Sequence, residues 1–321
     1  MYTIENDYLI AKITPYGAAL VSLVDKRSGI DVVLGFDDEQ KYQKHEGNPY
    51  FGATVGRFAN RIANGRFELN GITYKLDQNN GVNAIHGGQI GLTWRKYHLQ
   101  TLGDDKVIFR VFSCDNEDGY PGDLNMEISY RLCEDKLIFG ITGQCSKDSL
   151  FNITNHSYFN LNGKGDILNH RLQIFADKVA LNDENGMATI DQLGVADTAF
   201  DFREAREIGA NLKRGHANLD KGGGLDHHFV VENLQNKVLA KLQGERLLLT
   251  VESDLPGVQV YTASKMQGIK GKNDQLYGPF AGIALECQYY PNNINYEGVL
   301  QALIHRREIV SHYISYQLSE I

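Results

Sequence analysis

The chain has 321 residues, 42% hydrophobic and 22% charged, with a formal net charge of -8 and a pI near 5.7. That balance suits a globular protein with a sizeable core, and it offers no concentrated basic patch for nucleic acid or an anionic membrane surface. The opening residues MYTIENDYLIAKITPYG carry Glu5 and Asp7 with no basic segment ahead of an apolar run, so no secretory signal is read there. No window approaches about 18 uninterrupted apolar residues, so no membrane-spanning helix is expected. The cysteines Cys114, Cys133, Cys145 and Cys287 are scattered without a CxxC pair. They read as reduced thiols packed in a core, and the cytoplasm is the expected compartment.

Abundant glycine, Tyr and Phe with scarce proline point to β structure with many turns. Alternation predicts strands over 8–13, 18–24 and 32–34, and 37–44 suits a short helical turn. In 66–76 two alternating runs flank Asn70-Gly71, a hairpin signal because both turn residues accept positive φ. Further hairpins are predicted over 96–113, turning at Gly103-Asp104-Asp105, and over 124–132 with 136–143, turning at Cys133-Glu134-Asp135. Later strands read at 170–174, 178–181, 238–242, 247–252 and 259–262, with one short helix over 205–212. The chain closes on 310–318, where Val310, His312, Ile314, Tyr316 and Leu318 alternate with polar residues. With no repeat and no Pro/Ser-rich linker, 1–321 is expected to be one all-β domain of packed antiparallel sheets.

Polar groups interrupt these patterns at five places. Ile283 to Pro291 reads as a strand carrying one carboxylate, Glu286, on the face of Ala284 and Gln288 and opposite Leu285 and Cys287. Glu286 is either on the wet face of an edge strand or buried, and burial would raise its pKa toward neutrality. Gln259 lies on the preceding strand. Gly52 to Ile62 holds Arg57 and Arg61, suited either to binding oxygens through forked donors or to bonding loop carbonyls. His86, followed by Gly87-Gly88, stands either at a ligand or on the surface. In 152–161, read as one strand, Thr154, His156, Tyr158 and Asn160 share a face, a poor core and a good ligand wall. The run Gly222-Gly223-Gly224-Leu225-Asp226-His227-His228 invites a metal, but adjacent histidines on a strand face opposite ways and further ligands are missing. Asp226 fits better as an acceptor for sugar hydroxyls. No GxSxG, SxxK, dinucleotide or phosphate-loop pattern appears. The remaining residues form an acid/base kit for a neutral polyhydroxylated substrate, with no metal and no cofactor.

The ordered blocks GRFANRI, NAIHGG, DGYPGDL, NHSYFNL, DTAFDFR, GLDHHF, QVYT and LECQYYPN closely resemble the aldose 1-epimerase (galactose mutarotase) family from about residue 10 onward. The resemblance implies a large antiparallel β-sandwich. It implies His156 and Glu286 as catalytic residues and Asn60, Arg61, His86, Tyr158, Asp226 and Gln259 as sugar contacts. Leu92-Thr93-Trp94 stands where many members have Phe-Asp-Lys, and Ala263-Ser264 where many have Gly-Asn.

The implied chemistry is interconversion of α and β anomers of free hexoses such as galactose and glucose. Glu286 takes the proton of the C1 hydroxyl and a charged His156 protonates the ring oxygen, their mutual attraction favouring both charges. Tyr158 and Trp94 are expected to cover the sugar's apolar face. The competing readings are a hexose-6-phosphate 1-epimerase, with Arg57 and Arg61 as candidate phosphate ligands, and a non-catalytic carbohydrate-binding sandwich. A glycosidase would need a clearer carboxylate pair. The expected partner is a monosaccharide, with no nucleic acid and no membrane, and the chain is expected to be a monomer or homodimer.

Overall fold

This computed structural model describes residues 1–220, 223–231, 235 and 237–321; Gly222 of the glycine run lies outside them. Among the described residues most strands belong to two antiparallel sheets. The larger has nine strands, in spatial order His98–Leu102, Lys106–Ser113, Leu124–Cys133, Lys136–Cys145, Ile309–Glu320, Leu247–Ser253, Val238–Gln243, Arg171–Ile174 and Arg206–Glu207. Its hairpins form where turn chemistry predicts them. Cys133 pairs with Lys136 across a two-residue turn in which Glu134 takes φ 51°. Period-2 burial follows, with Leu124, Met126, Ile128, Tyr130 and Leu132 inward. The Asn70-Gly71 hairpin also forms, with Leu69 opposite Ile72 and both turn residues at positive φ.

The smaller sheet has six strands, ordered Tyr158–Phe159, Ile283–Cys287, Gly257–Tyr261, Asp226–Val230, Lys178–Asn182 and Ala188–Gly194. Ile283, Leu285, Cys287, Val258, Val260 and Phe229 face the larger sheet. There they join Phe139, Ile141, Ile314, Tyr316 and Leu318 in one core, the sandwich expected when two sheets stack face to face. A four-stranded N-terminal sheet, Tyr2–Glu5, Leu9–Ile13, Leu20–Asp25 and Ile30–Asp31, adds Ile4, Leu9, Ala11, Leu20 and Leu23 to that core. No helix among the described residues is long and apolar enough to cross a membrane.

Three sequence expectations are corrected. The stretch 152–161 is two short strands rather than one. Thr154–Asn155 pairs with Thr54–Val55, whereas Tyr158–Phe159 joins the six-stranded sheet beside Ile283–Cys287. His156 sits in the break between them. Asn160 does not face a ligand wall either, because its amide donates to the carbonyls of Lys164, Gly165 and Ala281. Cys114 and Cys133 are exposed, and only Cys145 and Cys287 are core thiols. The helical segments narrow to Ile208–Leu212 and to a 3-10 turn over Glu39–Gln43, with Ala217–Asp220 a short helix the alternation did not reveal.

Candidate active site

The site grows out of the face of the six-stranded sheet that looks away from the core. Residues directly opposite on neighbouring antiparallel strands share a face. Glu286 is opposite Gln259, and Gln259 is opposite His228; one step along, Ala284 is opposite Tyr261 and Tyr261 is opposite Asp226. Tyr158 joins this second row from the sheet edge, opposite Ala284. Adjacent His227 and His228 face opposite ways, as alternation requires. His227 accepts from the Asp226 amide through Nδ1 and pairs through Nε2 with Asn218, so it is structural.

His156 approaches this floor from the break in the 154–159 segment. Its amide donates to the Ala53 carbonyl and its own carbonyl accepts from the Gly52 amide. Next to it, buried Asn155 donates to the Gly52 carbonyl and the Tyr130 hydroxyl, and accepts from the Ser157 hydroxyl at 2.6 Å. These bonds fix the loop that aims the imidazole. His156 Nε2 stands 3.6 Å from Glu286 Oε1, with both side chains at 5% exposure or less. That separation is too long for a hydrogen bond, so neither group is consumed by the other. His156 Nδ1 and Glu286 Oε2 have no protein partner.

Two loops close the site. Arg61 begins a short strand paired with Ala84–Ile85, and its Nε donates to Asn80 Oδ1 at 3.0 Å. Asn60 organises the turn. Its side-chain oxygen accepts from the Arg61 amide, its carbonyl accepts from the His86 amide, and its own amide donates to His86 Nδ1. With Nδ1 accepting, a neutral His86 carries its proton on Nε2. His86 takes φ 53°, and a side chain at Gly87, φ 91°, would collide with the Gly56 carbonyl. The two glycines after His86 therefore let one loop lie against another. Asn79 holds this loop through the Ile85 and Gly88 carbonyls, and Asp118 holds the amides of Ile90 and Gly91.

Burial dominates the electrostatics. It pushes the His156 imidazole down to about 4, and His86 falls well below its ordinary value for the same reason. Glu286 rises well above the usual carboxylate range, first through desolvation and then through the Asp226 charge, with Arg61 opposing. The expectation that attraction keeps both members of the pair charged is thus reversed: the low-dielectric surroundings favour neutral His156 beside a protonated Glu286.

All eight residues that the resemblance implies as catalytic or sugar-contacting sit in or against this site. Gln259 donates from Nε2 to Asp226 Oδ1 at 2.7 Å, leaving its buried Oε1 unpartnered. The Tyr158 and His86 rings lie 5.0 and 5.5 Å from that of His156. Tyr50 was missed; its ring stacks on His156 at 5.7 Å, and a Tyr between Pro49 and Phe51 in a loop carries no spacing signal. Trp94 does not stand with Tyr158 as expected, because its ring contacts among the described residues are to Tyr50 and His45. Arg57 is corrected as a phosphate ligand. It is buried, and its guanidinium donates to Ser113 Oγ and to the carbonyls of Ser113, Cys114, Pro121 and Gly122. Among the described residues no group of three or more His, Cys, Asp or Glu side chains could hold a metal.

The family model for aldose 1-epimerase matches residues 1–317. Galactose mutarotase of Sus scrofa is 39% identical over 304 residues, covering 92% of this chain and 86% of its own. Aldose 1-epimerase of Escherichia coli is 33% identical over 302 residues, covering 91% and 86%. Among solved structures, an aldose epimerase homologue from C. elegans superposes with a TM-score of 0.92 at 29% identity, over 100% of this chain and 98% of that one. Galactose 1-epimerase from Lactobacillus acidophilus gives 0.89 at 28%, over 99% and 93%. The chain belongs to the aldose 1-epimerase family.

Proposed function

We propose that the aldose 1-epimerase chemistry of this chain runs through Glu286 and His156 and interconverts the anomers of free hexoses such as galactose and glucose. The observation that carries this reading is the 3.6 Å between His156 Nε2 and Glu286 Oε1 in a buried, partner-poor setting. The hydroxyl and ring oxygens of a hemiacetal share one carbon. Groups that serve both must lie side by side without satisfying each other.

Glu286, ionised, accepts the proton of the C1 hydroxyl. The C1–ring oxygen bond breaks, its electron pair leaves with the ring oxygen, and His156 protonates that oxygen. The open aldehyde rotates about C1–C2, and the steps run backward on its other face. Opening moves one proton to Glu286 and one from His156, so the pair holds a single proton before and after. The charged form binds the ring sugar and the neutral form faces the open aldehyde. Burial favours the neutral form, which lowers the energy of the ring-opened state, while sugar hydroxyls donating to Glu286 support the charged form. Each positioned proton transfer is worth roughly 10²–10⁴ in rate. Arg61, His86 through Nε2–H, Asp226, Gln259 and Asn60 hold the remaining hydroxyls, and Tyr158 lies along the ring.

The free sugar is favoured over its 6-phosphate because Arg57 is already committed to five protein oxygens. The test is polarimetric. Wild type should speed the change in optical rotation of fresh α-galactose or α-glucose, and Glu286→Gln should bring it close to background with the fold intact. A wild-type rate at background would instead mark a sugar-binding protein without catalysis, and faster turnover of glucose 6-phosphate than glucose would reinstate the phosphate reading.

A further inference from the structure

We propose that Asp118, in the DGYPGDL block, is a positioning residue that clamps the loop after His86 and so aims the His86 Nε2–H. The proposal rests on that N–H meeting a sugar hydroxyl. The Asp118 carboxylate is divided between neighbouring amides of the loop, Oδ1 accepting from Ile90 at 3.1 Å and Oδ2 from Gly91 at 3.0 Å. Gly91 is also gripped at its carbonyl, which accepts from Arg95 Nε at 3.0 Å, and the Arg95 guanidinium pairs with the Glu117 carboxylate. Glu117 and Asp118, adjacent in one turn, thus hold both polar groups of Gly91, Asp118 directly and Glu117 through Arg95.

Gly91 in turn lies against His86. A Cβ on Gly91 would come within 3.0 Å of the His86 carbonyl, and the next residue, Leu92, donates its amide to the Gly56 carbonyl at 3.0 Å. The imidazole is tied separately, by the Asn60 amide on Nδ1 at 3.2 Å. Ring and main chain are both held, so the direction of Nε2–H is set before sugar arrives. The clamp sits close: a Cβ on Gly88, φ 108°, would fall 2.7 Å from the Asp118 carboxyl carbon. It is also rigid. The Asn116 amide donates to the Tyr120 carbonyl at 2.8 Å, the Tyr120 amide donates back to the Glu117 carbonyl at 3.0 Å, and the Tyr120 side chain is buried. Amide bonds to an ionised carboxylate are roughly twice as strong as neutral ones, so a carboxylate at 118 holds the loop more firmly than an amide can.

Asp118→Asn keeps the shape of the side chain and turns one acceptor into a donor that faces an amide. Titration calorimetry with galactose should give a Kd about tenfold weaker, and polarimetry a KM raised by the same factor with kcat within about twofold. In a His86→Ala background the same substitution should change Kd by less than about twofold, because the group it aims is gone. Glu117→Gln, at the half-buried edge of the turn, should weaken Kd about threefold and supplies the reading if Asp118→Asn folds poorly. Equal losses with and without His86, or a wild-type Kd in both Asp118→Asn and Glu117→Gln, would overturn the clamp. His86→Ala with a wild-type Kd would remove the sugar contact and the clamp together. Weaker galactose binding in Asp118→Asn, beside a wild type that leaves optical rotation at background, would keep the clamp and sink the proton-transfer pair.

Discussion

The two faces of the six-stranded sheet follow opposite rules. Toward the larger sheet, Ile283, Leu285 and Cys287 alternate into a close apolar core. Toward the loops, Ala284 and Glu286 of the same strand and Gln288 just beyond its end are as deeply buried, yet Glu286, Gln288, Gln259 and His228 each keep a polar atom without a protein partner. Buried polar atoms are normally satisfied because leaving them unpaired costs about 1–3 kcal/mol each. On the proposed reading, their concentration on one face is where sugar hydroxyls complete the bonding, at some cost to stability.

Neighbouring substitutions separate the faces most sharply. Glu286→Gln should lower kcat by about 10²–10⁴ and leave the melting temperature equal or higher, since an amide avoids the desolvation a carboxylate suffers. Leu285→Ala should cost about 2–5 kcal/mol of stability through cavity formation, with kcat per folded molecule near wild type. Polarimetry and denaturant melts on both variants check the split. Loss of stability in Glu286→Gln comparable to that in Leu285→Ala would abolish the distinction.

The same contrast separates two arginines of one sequence block. Removing Arg57 strands the carbonyls of Ser113, Pro121 and Gly122, whose bonds to it are buried, so Arg57→Met should cost about 3 kcal/mol. Arg61→Met should leave stability within about 0.5 kcal/mol and raise KM about tenfold. A denaturant series with Michaelis kinetics decides, and equal stability losses would mean Arg61 is structural too.

Residue type and spacing in GRFANRI do not tell these arginines apart, because neither says which one meets a ring of carbonyls; the family resemblance alone singled out Arg61. The hairpins at Asn70-Gly71 and Glu134-Asp135 were legible because turn chemistry and alternation are local. The face carrying Glu286 was legible for the same reason. The break that frees His156 was not, since the partners of 154–159 lie about a hundred residues away, in Thr54–Val55 and Ile283–Cys287. Protonation was legible only in part: the rise of Glu286 was read as the consequence of its burial, whereas the fall of His156 depends on a burial that only the assembled sheet and loops create.

The smallest expected effect is a displacement along the pH axis. Activity requires one proton on the His156–Glu286 pair. Below about 4 His156 is protonated along with Glu286, the pair holds two protons and no base remains. Above the raised value of Glu286 the pair holds none and no acid remains. kcat/KM should therefore fall about tenfold per pH unit on both sides of that window. Arg61 lowers the Glu286 value, so Arg61→Met should move the alkaline limb upward and leave the acid limb in place. Rate profiles of both proteins on α-galactose measure this shift. An acid limb at the ordinary imidazole value of 6.5 would mean that the working site is far wetter than its side chains imply. An alkaline limb indifferent to Arg61 would mean that this guanidinium does not act on Glu286 when sugar is turned over.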